Sequence, residues 1–259
     1  MITVKLMGGM GNQMFQYAMG LAVARRLDTR VQLDTSLLGV NRPLALHQWN
    51  IDALQLAPRH AATVHEQGMR YNQATVDSIK DGDVLQGYWQ SEKYFYDPDA
   101  LRGEFTPLTW SIRSRDLLKQ IFQSNSVAVH VRRGDYLNEP HKSFHGILSD
   151  KYYADAMTRI WHERGLSARF FIFSDDIKWV KSNFSSEPFT FVEPGTESED
   201  IYLMSICNHA IIANSSFSWW GAWLGDKQKN RTVIAPAKWF ADGSGEDYSD
   251  IVPERWIKI

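Results

Sequence analysis

Cysteine is almost absent. Cys207 is the only one in 259 residues, so an intrachain disulfide and a Cys-x-x-Cys metal or redox pair are both excluded. That usage suits a reducing compartment. Long apolar runs are missing as well. Nothing approaches the ~18 residues of a membrane span, and the stretch 6–24 is broken by Asn12, Gln13 and Gln16. The chain opens directly into Met1-Ile-Thr-Val-Lys-Leu6, without the basic-then-apolar order of a signal peptide. Neither charge sign dominates. A formal net charge of −2 offers no electrostatic case for nucleic acid or an acidic membrane surface. Repeats and low-complexity tracts are also lacking. With 44% hydrophobic and 22% charged residues, the composition is that of an ordinary globular protein.

What is present begins with His130-Val-Arg-Arg-Gly-Asp-Tyr136, directly after Ser126-Val-Ala-Val129. A β-branched run followed by two arginines and a carboxylate reads as a buried strand that ends in charge. Interior strands of parallel sheets are close to continuously apolar, and ligands of open α/β sheets bind beyond the strands' carboxyl ends. Side chains alternate along such a strand, so His130 and Arg132 share one side and Arg133 takes the other. The guanidinium fork suits a diphosphate. A structural Arg–Asp135 ion pair is the alternative for this motif taken alone. A second segment, Ala210-Ile-Ile-Ala-Asn214, leads into Ser215-Ser-Phe-Ser-Trp-Trp-Gly-Ala-Trp-Leu224. Hydroxyl residues at a strand-to-helix turn cap the helix and leave backbone N–H groups facing an anion.

The chain alternates strands and helices. Ile2–Met7 is expected as a strand, Gln13–Leu27 as a helix and Arg30–Asp34 as a strand. The intervening turn, Gly9-x-Gly11-x-x-Met14, lacks the third glycine of a dinucleotide fingerprint and is not read as binding NAD. Residues 35–83, interrupted by Pro43, Pro58, Gly68 and Gly82, are expected as short helices and loops. Val84–Trp89 is expected as a strand whose Gln86, Tyr88 and Trp89 face a cleft. The second half runs helix 113–122, strand 126–131, helix 150–163 opened by Ser149, strand 169–173, then a helix from Asp176 through Lys181. A helix capped by Ser198 through Cys207, strand 210–213, the Trp-rich helix and strand 232–235 follow. Such alternation indicates parallel sheets covered by helices. The expected domains are 1–112 on the acceptor side and 113–259 for the donor.

Together with Gly8-Gly-Met-Gly-Asn-Gln-Met-Phe-Gln-Tyr-Ala18, these two segments resemble the three motifs of glycosyltransferase family 11, the α-1,2-fucosyltransferases of bacterial type. The motifs stand in the family's order from about residue 2 to beyond 240. The resemblance implies a GT-B-like fold, two Rossmann-type βαβ domains facing across a cleft. It implies transfer of L-fucose from GDP-β-L-fucose to the 2-hydroxyl of a terminal β-galactoside, with inversion, in O-antigen or other surface-glycan synthesis. The acceptor would be an oligosaccharide or a lipid-linked glycan. The expected setting is cytoplasmic, at the inner face of the bacterial membrane where the acceptor is lipid-linked, with peripheral contact and no transmembrane segment. There the Asn183-Phe-Ser185 and Asn214-Ser-Ser216 strings carry no glycosylation meaning.

For that reaction Arg132 is the candidate for the β-phosphate, with Arg133, Ser215, Ser216 and Ser218 offsetting charge on the leaving GDP. His130 is the candidate for the nucleotide, with a core histidine as its alternative. Gly9 and Gly11 let backbone approach the ligand, and Asn12 and Gln13 supply amide donors. Asp175 and Asp176 are candidates for ribose or guanine, although helix capping explains one of them equally well. Asn208 is a guanine candidate by resemblance to related fucosyltransferases. Asp81-Gly-Asp83 and Asp97-Pro-Asp99 match a metal-binding Asp-x-Asp string but sit among turn formers, so neither metal nor cofactor is expected. The general base stays open between Asp135, Glu139 and a β-phosphate oxygen. The competing readings are a transferase with another donor or linkage, and a non-catalytic nucleotide- or carbohydrate-binding protein.

Overall fold

Two β-branched runs, Ile2-Thr-Val and Val127-Ala-Val-His-Val131, each become a central strand of a parallel sheet in the computed structural model, which describes residues 1–55, 62–95, 97–165, 167–184 and 188–259. Pro58, and Ser185 of the Asn-x-Ser string, lie outside the described residues. The chain divides into two units. The first comprises Met1–Leu108 with Glu246–Pro253, and the second Thr109–Gly245 with Glu254–Ile259. The boundary expected at 112 therefore falls a few residues earlier. The return of 246–253 to the first unit is a difference from the sequence reading. Asp250 supplies its physical reason, accepting from Tyr71 N at 3.1 Å and pairing with Lys93 Nζ at 2.5 Å.

The first unit contains β1 (Ile2–Lys5), α1 (Met10–Arg26), β2 (Val31–Asp34), β3 (Leu54–Gln55), β4 (Thr63–His65), α2 (Gln73–Ser78), β5 (Val84–Gln86) and α3 (Pro98–Glu104). Its strands are all parallel in the order β3-β2-β1-β5-β4. From β1 the chain goes to β2 on one side, while β5 occupies the other. The carboxyl ends of β1 and β5 thus form the topological switch point, where open α/β sheets hold ligands.

The second unit contains α4 (Ile112–Phe122), β6 (Asn125–Val131), α5 (His141–His145), α6 (Asp150–Arg164), β7 (Ala168–Ser174), α7 (Ile177–Asn183), β8 (Phe189–Phe191), α8 (Glu197–Ile206), β9 (His209–Ile211), α9 (Ser216–Leu224), β10 (Val233–Ala235) and β11 (Ile257–Lys258). These strands are also parallel, in the order β11-β10-β9-β6-β7-β8. Val127, Val129 and Val131 face Tyr152, Tyr153, Ala156 and Ile160 of α6 in one apolar cluster. Alternation sends His130 to the opposite face, where the Phe217 ring of α9 lies 5.5 Å away. Trp219, Trp220 and Trp223 are fully buried in α9. Three tryptophans that could have formed a sugar-stacking surface are core.

Several expected boundaries shift. The 84–89 strand stops at Gln86, because Trp89 takes a left-handed conformation with φ 54°. Thr196 caps α8 where Ser198 was expected, its hydroxyl accepting from Glu199 N at 3.4 Å. Ser149 and Asp176 cap α6 and α7 as expected, accepting from Tyr152 N at 3.3 Å and Trp179 N at 3.2 Å. Among the described residues no helix is long and apolar enough to cross a membrane.

Candidate functional site

The carboxyl end of β6 gathers two arginines and three carboxylates. Arg132 places Nη2 2.6 Å from Asp135 Oδ1 and Nη1 2.8 Å from Asp175 Oδ2. Arg133 donates its backbone N–H to Asp175 Oδ1 at 2.9 Å and its Nε–H to Asp176 Oδ2 at 3.4 Å. Its guanidinium lies 3.8 Å above the Trp179 ring, a cation–π seat on α7. Gly134 lets this turn close, since a Cβ there would collide with the Asp175 carboxylate. Strand adjacency explains the gathering. β6 and β7 pair in register from Asn125↔Ala168 to Val131↔Ser174, so the residues that follow them emerge side by side.

Two carboxylates do not exhaust Arg132. A guanidinium has five N–H donors, and the buried Nε–H has no hydrogen-bond partner. The Arg132 backbone also hydrogen-bonds Tyr153, which ties the motif to α6. His130 is buried, and burial with the nearby Arg132 charge pushes its pKa down to about 3. The ring is neutral at physiological pH, and its buried Nδ1 has no hydrogen-bond partner. An unsatisfied buried ring nitrogen costs free energy unless something occupies it.

Ser215 and Ser216 open α9, whose first amides receive no side-chain cap and meet no acidic residue. Ser218 is different. Its buried hydroxyl lies 3.4 Å from the Ala213 and Ser215 carbonyls, so it serves the turn itself. Glu139 is exposed, and its carboxylate accepts from Ser143 N at 3.2 Å and from the Ser143 hydroxyl, which holds it below the usual glutamate range. Asn208 stands away from the group. It precedes β9, at the amino end of the sheet, and its Oδ1 accepts from Ser126 N at 2.9 Å and Ser126 Oγ at 3.0 Å. The guanine role expected for Asn208 is corrected accordingly, because ligands of parallel sheets sit at the opposite edge.

The first unit's glycine turn also differs from expectation. Gly9 caps α1 and Gly11 lies within it. The position that requires glycine is Gly8, at φ 76°. Gln13 is fully buried and spends its carboxamide on backbone. It donates to Gly8 O and Pro43 O, each at 2.9 Å, and accepts from Ala45 N at 2.8 Å. Gln13 is a staple of the turn, which corrects its assignment as a ligand donor. Asn12 accepts from Gln90 Nε2 at 2.8 Å, leaving its own amide N–H₂ oriented by that bond.

Sequence reasoning passed over Trp179, Tyr136 and His145. The Arg132 guanidinium lies 5.2 Å from the Tyr136 centroid, and the Tyr136 ring stacks on His145 at 4.4 Å with 3° between planes. Burial, His141 and Arg132 push His145 down to about 4. Tyr136 was within reach as the last residue of the arginine motif, whereas Trp179 and His145 carried no local signal. A cavity of about 510 Å³ in this unit is lined by His145, Ser149, Lys151, Asn214, Lys238 and Phe240 among others. It takes in none of the expected site residues. Both Asp-x-Asp strings are turns or caps. Asp83 accepts from Lys80 N at 2.8 Å and Asp97 caps α3.

The model of glycosyl transferase family 11 matches residues 1–259. The chain belongs to that family. It is similar to the alpha-1,2-colitosyltransferase of Escherichia coli, 35% identical over 100% of this chain and 98% of the relative. It is also similar to the O-antigen biosynthesis glycosyltransferase WbnK of Escherichia coli, 32% identical over 98% and 99%. A galactoside alpha-(1,2)-fucosyltransferase 1 of Bos taurus is 28% identical over 86% of this chain and 66% of its own. In fold the chain resembles the fucosyltransferase NodZ from Bradyrhizobium, with TM-score 0.51, 12% identity, and 85% and 91% of the two chains covered. POFUT1 in complex with GDP gives TM-score 0.51, 13% identity, and 90% and 97%. The family 11 glycosyltransferase therefore has an α/β, GT-B-like fold.

Proposed function

We propose that this family 11 enzyme transfers L-fucose from GDP-β-L-fucose to the 2-hydroxyl of a terminal β-galactoside, with inversion, in O-antigen or other surface-glycan synthesis in the bacterial cytoplasm. The observation that carries this reading is Arg132, fixed by Asp135 and Asp175 at the carboxyl end of β6 with its Nε–H unpartnered. A guanidinium held this way needs no reorganisation when a diphosphate gains charge. The uncapped start of α9, with Ser215 and Ser216, adds backbone donors for the same anion. His130, neutral with an open Nδ1, suits the nucleoside.

In this reading the acceptor 2-hydroxyl attacks the anomeric carbon as its bond to the β-phosphate oxygen breaks. The negative charge leaving on GDP is met by Arg132, while Arg133, seated on Trp179, supports the same edge. Asp135 orients Arg132. Glu139, which accepts from the Ser143 backbone and hydroxyl, takes the hydroxyl proton. The first unit, Met1–Leu108 with Glu246–Pro253, serves the acceptor side and the second the donor side. Neither metal nor cofactor enters these steps.

A second donor is favoured by one specific observation, the 35% identity to a colitosyltransferase across the whole chain. Colitose is L-fucose without its 3-hydroxyl, so the two donors differ at one polar group. Assay of GDP-fucose against GDP-colitose with lactose and with methyl β-D-galactopyranoside decides between them. Product with a fucosyl-α-1,2-galactose linkage by NMR supports the proposal. Turnover of GDP-colitose alone, or of a UDP-sugar, would overturn the donor assignment.

A further inference from the structure

The switch point of the first sheet carries a strained, carboxylate-clamped turn that the donor chemistry does not use. After β5 the chain runs through Gly87, Tyr88 and Trp89 before Gln90 reaches Asn12 of the glycine turn at 2.8 Å. Trp89 is fully buried in a left-handed conformation, φ 54°. For a bulky residue that conformation is costly, and such strain gathers at binding sites. Glu66, just beyond β4, holds the turn. Its carboxylate accepts from Tyr88 N at 2.6 Å and from Trp89 N at 2.9 and 3.0 Å. Gly87 has no room for a side chain, since a Cβ would run into Glu66.

The turn leaves one aromatic ring in the open. Tyr88 is 38% exposed, while Trp89 is locked inside against Tyr94, with ring centroids 5.4 Å apart at 87°. Glu66 is itself only part-buried. A carboxylate has about four acceptor positions, so it keeps capacity beyond the two backbone donors. Glu246 adds a second negative charge near Glu66, which disfavours phosphate, and among the described residues no group of three or more metal-ligating side chains gathers here. The pair matches a neutral polyol, with a sugar's C–H face on the ring and a hydroxyl donating to the acid. We propose that Tyr88 and Glu66 form the subsite that seats the acceptor pyranose, Glu66 also positioning the ring through the turn. The idea rests on the reading of this enzyme as a galactoside-directed transferase. Burial supports it, raising Glu66 to about 7, as expected of a carboxyl set in a binding site.

The test uses the full chain, GDP-fucose, and methyl β-D-galactopyranoside as acceptor. Tyr88→Ala, a change at an exposed side chain, is expected to raise the acceptor KM at least tenfold while kcat at saturation falls less than threefold. Tyr88→Phe keeps the ring and is expected to restore the KM to within threefold of wild type. Glu66→Gln is expected to raise the acceptor KM as well. Saturation-transfer NMR with the same galactoside, without donor, reads the subsite independently of catalysis. Its signal is expected in the wild type and lost in Tyr88→Ala. An unchanged acceptor KM in Tyr88→Ala, or a saturation-transfer signal that survives it, overturns the subsite. A wild type that turns over another sugar nucleotide but keeps a Tyr88-dependent NMR signal refutes the donor assignment and leaves the subsite standing.

Discussion

Asp175 Oδ2 stands 2.8 Å from Arg132 Nη1. The same carboxylate accepts from the Arg133 backbone through Oδ1 at 2.9 Å, so one side chain on the end of β7 fixes two consecutive residues beyond β6. Such a bidentate bridge preorganises a guanidinium better than a helix or loop charge pair would, because both anchor points are strand ends.

Arg132→Lys keeps the charge and loses the planar fork. Turnover is expected to fall at least about tenfold, roughly 1.4 kcal/mol of transition-state stabilisation, with the melting temperature preserved. Asp175→Asn should produce a comparable loss together with weaker GDP binding, since the freed guanidinium is misplaced in the ground state too. Single-turnover rates beside calorimetric GDP titration check both. A folded Arg132→Lys with wild-type turnover would remove Arg132 from the reaction.

The base is separable from the orienting carboxylate. If Glu139 takes the proton, Glu139→Gln abolishes transfer while GDP affinity stays close to normal. Asp135→Asn then lowers turnover and GDP affinity together, because Arg132 loses its 2.6 Å partner. The reverse pattern would assign the proton to Asp135. Losses below a few-fold in both variants would point to a phosphate oxygen as the acceptor of the proton.

Gln13→Ala strips three backbone groups of their partner, a buried one at Ala45 and part-buried ones at Gly8 and Pro43. Orphaned buried polar groups cost about 1–3 kcal/mol each and are not additive, so a loss on the order of 3 kcal/mol is expected. Urea unfolding measures it. A change near zero would mean that water replaces the carboxamide.

Glu66 carries a pH signature. Its folded pKa is raised from 4.5 to about 7 by burial, so the folded state binds a proton more tightly than the unfolded chain. Ionising it therefore subtracts stability as pH rises through that window, and the cost is absent below about 4.5. Glu66→Gln mimics the protonated form. Its stability relative to wild type should improve between pH 5 and pH 8, whatever its constant offset from lost backbone bonds. A difference independent of pH would show that Glu66 is not raised.

Transfer should continue in EDTA. The carboxylates of both Asp-x-Asp strings are occupied by backbone amides, the amino terminus or Arg102. Activity lost in EDTA and restored by manganese would refute this.

Local chain rules were enough to show that His130–Tyr136 ends a buried strand in charge, and that Ser215 opens a helix. Both follow from short-range rules, a β-branched run followed by arginine and a hydroxyl before an apolar helix, which local chain geometry enforces. Family membership was legible for the same reason, because its motifs are contiguous. Which carboxylate meets which arginine depends on long-range packing, since Asp175 and Arg132 are brought together by the parallel register of β6 and β7. The same packing decided that Asn208 lies at the amino edge, that Gln13 serves the backbone, and that Glu66 clamps Tyr88 and Trp89. None of these has a local signature. An amide or a carboxylate is chemically suited to ligand or backbone alike, and long-range strand order alone settles which one it reaches.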